Sequence, residues 1–422
     1  MRNYTLLTAA AIATTLGSQG ALIASAFAVL EAGGDAGDVG LVAAARTIPL
    51  VLFLLIGGAL ADRLPRHHVM VAANALNCLS QAAFAVLVLA GEPRLWQMIV
   101  LAGLGGTGQA FFAPASEGML MSSVSGEQAS RAFALYRMAL NGASMGGAAL
   151  GGMLIAVAGP GWVLAIDSFG FLVAGSLRAF LDVSHVPPRP AGRGMLADLR
   201  DGWREFTGRP WLWSIVLQFA VVNAVVAAAQ SVYGPLVARD DLGGPGPWGT
   251  ALAAFGAGTV GGALLMTRWK PRRLLLVGTL CVFPYTLPPA GLAVPLPLWA
   301  LVGVMFLCGL SIEVFGVSWM TALHQEIPED KLSRVSAYDW LGSIAMVPVA
   351  TALAGPAESS FGRTPALWGC SALAVLLTVA VLFVPGVRQL TRRTQDVPAQ
   401  RPVTAPAAGP SADTEGALGR PG

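Results

Sequence analysis

The chain has 422 residues, 55% of them hydrophobic and only 12% charged, with a formal net charge of +3 and a mean hydropathy of +0.65. Soluble domains carry roughly twice that charged fraction, so a water-soluble globule is excluded, and the near balance of charge offers no broad basic surface for nucleic acid. Long uncharged runs such as VMVAANALNCLSQAAFAVLVLAG reach across a hydrocarbon core of about 30 Å as helices, the form that satisfies backbone polar groups inside lipid.

The N-terminal stretch, with Arg2, an apolar run and AFA at 26–28, imitates a cleavable signal. The uncharged run from Tyr4 to Leu30 is long for a signal core, and it is read as the first membrane helix. Apolar windows and Gly, Pro and charge breaks predict twelve helices. They span 5–30, 39–60, 69–90, 96–121, 131–157, 161–182, 211–237, 247–267, 272–291, 297–322, 332–356 and 364–385. Pro284, Pro288 and Pro289 predict a kink in the ninth. The expected fold is an all-α membrane protein in two six-helix bundles, 1–182 and 211–387. Between them, 183–210 reads as a central cytoplasmic loop in which MLADLRDGWREF forms a short amphipathic helix on the membrane surface. The Pro-, Ala- and Gly-rich tail, 388–422, is expected to be disordered.

Basic residues set the expected orientation. With the N-terminus cytoplasmic, eighteen Lys and Arg fall on that side against four (Arg46, Arg94, Arg239 and Arg363) on the other. That bias places both termini in the cytoplasm, as a multi-pass protein of the cell membrane. Cys78, Cys281, Cys308 and Cys370 lie in apolar runs without metal-ligand spacing and read as core filler.

The halves repeat. GGAL at Gly57 recurs at Gly261, an offset of 204, each time before a basic loop. SGEQASRAFALYR matches PEDKLSRVSAYDW at an offset of 203, pairing Ser130–Arg131 with Ser333–Arg334. Six-helix repeats in parallel orientation are a transporter architecture, with the substrate site between the halves.

The stretch GGALADRLPRHH, residues 57–68, resembles the conserved loop between the second and third helices of the major facilitator superfamily. That pattern runs Gly, any, Leu, Ala, Asp, Arg, any, Gly, Arg, then Arg or Lys; here Gly58, Asp62, Arg63 and Arg66 keep it, while Pro65 replaces Gly and His67 replaces the last base. The resemblance implies a cytoplasmic gate in which Asp62 meets the start of the eleventh helix near Ser333 and Arg334. A carboxylate at a helix N-terminus contributes roughly 0.3–2 kcal/mol. AARTIPLVLFLLIGGALADRL, FFAPASEGML and SRAFALYRMALNGASMGG resemble the drug:proton antiporters related to macrolide-efflux proteins and enterobactin exporters. GASMGGAALG, from Gly142, resembles the Gly-rich antiporter signature, with Gly147 in place of its Pro. Gly142, Gly146, Gly147 and Gly151 are expected to allow close helix packing. The fourth helix, LAGLGGTGQAFF, lacks the Arg that many such antiporters carry there.

Charges in membrane helices are rare and mark function. Glu313, Asp339 and Arg137 fall at similar expected depth, roughly 9–14 Å from the cytoplasmic side, and form the candidate proton network. Asp167 is read as structural and Arg178 as reaching to the surface. Gln19, Asn141, Gln218, Asn223, Phe315 and Tyr338 are candidate cavity residues, since mixed amide and aromatic linings suit amphipathic organic molecules. No GxxxxGK[ST] motif or metal-ligand cluster is present, and GLGGTGQA has no strand before it. The expectation is therefore a monomeric proton-driven exporter, not an enzyme, without cofactor, metal or nucleic acid. Its partners are a small molecule, protons and lipid; import of a metabolite, or sensing on the same fold, is the alternative.

Overall fold

The computed structural model describes residues 2–63, 66–91, 93–123, 128–179, 195–294 and 296–392. The first half contains α1 (Arg2–Glu31), α2 (Ala36–Arg63), α3 (Arg66–Leu89), α4 (Leu95–Ser123), α5 (Gln128–Ala158) and α6 (Pro160–Ala179). They alternate in direction, so α1 begins at the end of the bundle where the described chain starts and finishes, the terminal end, and α2 begins at the far end. Turns at the far end are tight. After α1, Gly33 takes a φ of 85°, and Asp35 and Asp38 then cap α2 reciprocally, each side chain accepting the other's backbone N–H at 3.1–3.2 Å.

Helix α7 (Met195–Thr207) follows, where an amphipathic helix was predicted. The second half holds α8 (Pro210–Ala228), a π-helical turn (Ala229–Tyr233), α9 (Gly234–Asp241), α10 (Pro245–Arg268), α11 (Leu274–Tyr285), α12 (Leu287–Ala293), α13 (Leu298–Glu326), α14 (Glu329–Ile344), α15 (Val347–Phe361), α16 (Arg363–Val381) and the short α17 (Pro385–Gln389). Helices α8–α9, α11–α12 and α14–α15 are each one rod with a break, giving twelve rods among the described residues. Eleven are long and apolar enough to cross a membrane by length and composition. The twelfth is α4, an apolar helix of 29 residues by its backbone.

Proline explains the breaks. The predicted kink of the ninth rod is a full interruption at Thr286, whose carbonyl accepts a bond from Ser371 Oγ of α16 at 3.2 Å. In the eleventh rod, Pro348 stands in the first turn of α15, and the helix stops at Ala345–Met346. In the seventh, Pro235 follows the π turn, where the Gly234 N–H reaches back five residues to the Ala229 carbonyl. Among the described residues the six rods of the first half run unbroken, including α2 through Pro49.

Packing is uneven from end to end. One core cluster gathers buried side chains of both halves, among them Phe27, Phe84, Tyr233, Trp248 and Leu301, and draws on the far ends of their helices. A second belongs to the second half alone, around Trp211, Phe315 and Trp319, and a third to the first half, around Met70 and Met119. The described approaches between halves follow the same division. Gly152 of α5 lies against Gly249 of α10, and Gly37 of α2 against Gly355 of α15. The halves are thus closed on each other at the far end.

At the terminal end, residues 388–392, grouped with the tail by composition, are ordered. Arg392 N–H bonds to the Arg272 carbonyl at 2.7 Å, and Gln325 donates to the Thr391 carbonyl at 3.3 Å. Residues 183–194 and 393–422 lie outside the described residues, as does Pro65.

Candidate functional site

An aromatic ladder climbs the inside of the second half. Phe315 and Trp319 sit one turn apart on α13, with ring centroids 6.1 Å apart. Phe219 of α8 stacks on Phe315 at 4.8 Å and on Tyr285 of α11 at 6.1 Å, while Trp211 meets Trp319 edge-on at 5.7 Å. Spacing of i, i+4 on α13 aligns the first two rings, and α8 supplies the next from a facing turn. At the terminal side of the ladder, the Trp319 indole N–H donates to Asp339 Oδ2 of α14 at 2.9 Å. A carboxylate inside a membrane bundle is therefore held by a neutral donor on an aromatic rod.

The other side of the ladder ends in a polar clasp. Tyr285 donates its hydroxyl proton to Asn223 Oδ1 at 3.0 Å, and Asn223 Nδ2 donates to the Ser343 carbonyl at 3.2 Å. That carbonyl stands just before the break in the eleventh rod, so Asn223 ties three rods together where one has lost its own hydrogen bonds.

Glu313 lies half-buried on α13 but on another side, toward α10: a Cβ on Gly262 would fall 2.9 Å from its Cβ. Glu313 therefore does not lie on the face of α13 from which Trp319 reaches Asp339. The side chains of Gly58, Asp62, Arg63, Arg66 and Arg137 lie outside those described, although their backbones fall in α2, α3 and α5.

The remaining expected cavity residues divide. Gln19 and Asn141 are half-buried. Gln218 is turned into the bundle, 2% exposed, and donates to Thr378 Oγ1 of α16 at 2.9 Å. Its position on α8 puts it on the face toward α16, which sequence alone did not distinguish from the cavity face. Phe315 is likewise buried within the ladder. Tyr338 belongs to the terminal end, with Trp203 at 5.4 Å and Phe206 at 6.1 Å. Of the α5 glycines, Gly147 abuts Leu16 and Gly151 abuts Gly20, both on α1. Gly142 and Gly146 face a side of α5 with nothing within 4 Å of a Cβ, shared with exposed Leu135, Leu150 and Met153. Of these four, only the α1-facing pair is packed closely.

Helix α7 is fastened to the start of α14. Lys331 Nζ donates to Glu205 Oε2 at 2.7 Å, Arg209 pairs with Glu205 Oε1, and Arg209 Nη2 donates to the Glu326 carbonyl at 3.0 Å. The Lys331 bond and, after it, Arg209 hold the Glu205 carboxyl below the usual carboxylate range. Gly202 lets the helix approach, since a Cβ there would stand 2.9 Å from Arg334 Cβ.

Arrangement and sequence converge on one family. The family model described as Major Facilitator Superfamily matches residues 5–343. The chain belongs to the Major Facilitator Superfamily. Its members are transporters rather than enzymes, and this one is a multi-pass membrane protein with the all-α fold of that superfamily. Among relatives, the chain is 28% identical over 403 residues to the "Multidrug efflux pump Tap" of Mycolicibacterium fortuitum, covering 91% of this chain and 96% of that protein. It is 26% identical over 355 residues to the "Enterobactin exporter EntS" of Escherichia coli O127:H6, covering 82% of each. The fold resembles solved structures of the nucleoside transporter NupG (TM-score 0.70, 11% identity, 90% of this chain and 98% of that one) and of a POT family transporter in complex with 5-aminolevulinic acid (TM-score 0.73, 10% identity, 91% and 96%). Among the residues the sequence did not single out are Phe219 and Tyr285 of the ladder, which carry no signal beyond being aromatic in apolar runs.

Proposed function

We propose that this Major Facilitator Superfamily transporter exports a small amphipathic organic compound (a drug, antibiotic or siderophore) in exchange for protons. The observation that carries this reading is Asp339 bonded to Trp319 at the edge of an aromatic ladder. Flat apolar rings suit an amphipathic substrate, and a carboxylate inside the bundle is a group that gains and loses a proton. Sequence position ranks Glu313 first and Asp339 second as proton carrier; the Trp319 bond favours the reverse order, with Arg137 as counter-ion. The names of the two relatives, a multidrug efflux pump and an enterobactin exporter, support export over import.

The two halves, 1–182 and 211–387, rock about the central cleft, and the gate of Gly58, Asp62, Arg63 and Arg66 closes the terminal end in the opposite state. Basic residues concentrated at that end support a cytoplasmic assignment for both termini. Closure at the far end then makes the structure the state that loads substrate from the cytoplasm. The protein acts as a monomer with a proton gradient and no cofactor.

The test is accumulation in inverted membrane vesicles under an imposed pH gradient. Ethidium, a macrolide and a catecholate siderophore serve as probes. Gradient-dependent accumulation of at least one, abolished by uncoupler, is expected. Accumulation of all three indifferent to gradient and uncoupler refutes antiport.

A further inference from the structure

Away from the ladder, the first half contains a buried polar seam between α3 and α6. Asn74, Asn77, Ser80 and Gln81 of α3 are at most 7% exposed, and from α6 Asp167 and Arg178 are 0% and Ser168 7% exposed. The helices run antiparallel in consistent register. Gln81 Nε2 donates to Asp167 Oδ2 at 2.6 Å, Ser168 Oγ donates to the Cys78 carbonyl at 2.9 Å, and Asn74 Cβ lies 3.4 Å from where a Gly175 Cβ would be. Helix α4 closes the side, with Gly108 against Asn77 and the Phe112 ring 4.5 Å from Arg178 Cζ. The seam thus leads from Arg178, one residue before α6 ends at the terminal side, to Asp167, eleven residues and roughly 16 Å away. Arg178 does not reach the surface as its sequence position suggested.

Six atoms along it are buried without a hydrogen-bond partner: both side-chain polar atoms of Asn74, Nδ2 of Asn77, and all three guanidinium nitrogens of Arg178. They are six of thirteen such atoms among the described residues, the other seven falling one to a residue. An unmet buried polar atom costs about 1–3 kcal/mol, more when charged, and a guanidinium cannot shed its charge. Donors and an acceptor together at one-turn intervals are what internal water satisfies, since each molecule makes about three bonds to buried polar groups.

We propose that the seam is a hydrated proton path ending at Asp167, which makes Asp167 a proton-binding site of the first half. Hydronium delivers its proton to a carboxylate oxygen and departs as water. Ser18 Oγ, 3.1 Å from Asp167 Oδ1, donates to the carboxylate and, by turning its hydroxyl, accepts from the acid. The groups facing Asp167 are Gly17 and Ser18 from α1 and Gln81 from α3, with Cys78 one turn along; the charged group acting on it through space is Arg46 of α2. Arg46, counted among the far-side charges, lies ten residues inside α2. Helix α1 comes so near that a Cβ on Gly17 would fall 2.6 Å from Asp167 Oδ1. Because α1 also packs on α5 and contributes to the cluster shared between halves, loading the proton alters a rod that the closure uses.

This inference rests on the proton-exchange reading, and two measurements on the full chain in lipid separate them. Hydroxyl-radical footprinting reports water beside buried side chains. Met70, one turn before Asn74, is expected to oxidise at least fivefold faster than Met98, which is equally buried in the far-end cluster; equal rates overturn the hydrated seam. Infrared pH titration is expected to show a carboxylic-acid carbonyl band in wild type and Asp339→Asn that Asp167→Asn lacks and Asp167→Glu restores at a shifted frequency. An unchanged band in Asp167→Asn, or none in wild type, overturns Asp167 as the site. In ethidium transport, Asp167→Asn is expected to lose at least tenfold of gradient-driven accumulation. Wild type whose accumulation of ethidium, the macrolide and the siderophore is indifferent to gradient and uncoupler sinks proton exchange itself, whereas full accumulation by Asp167→Asn of a probe that wild type takes up sinks Asp167 alone. Should Asp167→Asn fail to fold, wild-type footprinting still decides.

Discussion

The far-end closure makes a quantitative prediction. A Cβ added to Gly249 would stand 2.6 Å from the Ala148 carbonyl oxygen and 2.8 Å from Gly152 Cα, both backbone atoms of α5 that no rotamer change can move. Restoring ordinary contact requires α5 and α10 to part by roughly 0.6–0.8 Å, and overpacking of this kind costs about 1–3 kcal/mol. The strain exists only while the far end is shut, so Gly249→Ala penalises that state alone and shifts its ratio to the far-end-open state by about 5- to 150-fold. Spin labels at Ala158 and Ser360, in a background without the four native cysteines, report the separation across that end by double electron–electron resonance. The expected result is a longer-distance population absent from the parent. Gly246→Ala is the control: its Cβ would meet only Ala156 Cβ, at 3.9 Å. Identical distance distributions for Gly249→Ala and parent would refute the claim that this helix pair carries the closure.

Four further outcomes follow from the geometry. Asp339→Asn should reduce pH-gradient-driven ethidium accumulation by at least tenfold, and Trp319→Phe, which keeps a ring but deletes the N–H donor, should alter the pH profile of transport. Asn223→Leu leaves the Ser343 carbonyl and Tyr285 hydroxyl without their partner, and thermal unfolding in detergent should show a loss of about 1–3 kcal/mol. Glu205, whose carboxyl is held below its ordinary value, contributes stability that is complete above the unfolded-state value and is lost as pH falls through the lower folded one. Trp203 fluorescence, reporting α7 docking, should therefore be flat from pH 7 to 5 and change only below, while Glu205→Gln shows the weakened docking, about 0.2–1 kcal/mol, already at pH 7. Gly262→Ala should destabilise the second half through the clash with Glu313 Cβ, whereas Gly303→Ala, with open space around it, should leave the melting temperature unchanged.

Much of the architecture was legible because lipid makes the pattern coarse. Runs of apolar residues marked all twelve rods, and MLADLRDGWREF was recognisable as α7 from its charged and aromatic faces. The break at Thr286 was foreseen from three prolines. Those near Pro235 and Pro348 were not, because a single proline inside a membrane helix is compatible with continuity, as Pro49 of α2 shows. The site was less legible. In a bilayer every face of a helix is apolar, so periodicity did not tell that Gln218 turns to α16 or that Gly142 and Gly146 lie on an unpacked side. Asp339 stood out as a charge among apolar neighbours, yet its Trp319 partner depends on the crossing of α13 and α14. The α3 stripe of Asn74, Asn77, Cys78 and Gln81 did carry helical spacing; only the antiparallel α6 beside it gives that stripe a charged group at each end.

The three interruptions all fall in the second half. A duplicated ancestor would give two equal levers, but here one is stiff and the other jointed in half of its rods. In the proposed cycle bending is expected on the jointed side, while the described rods of the first half turn as one piece. The two movements of a transport cycle need not mirror each other, and the sequence repeat conserves shape more faithfully than it conserves mechanics.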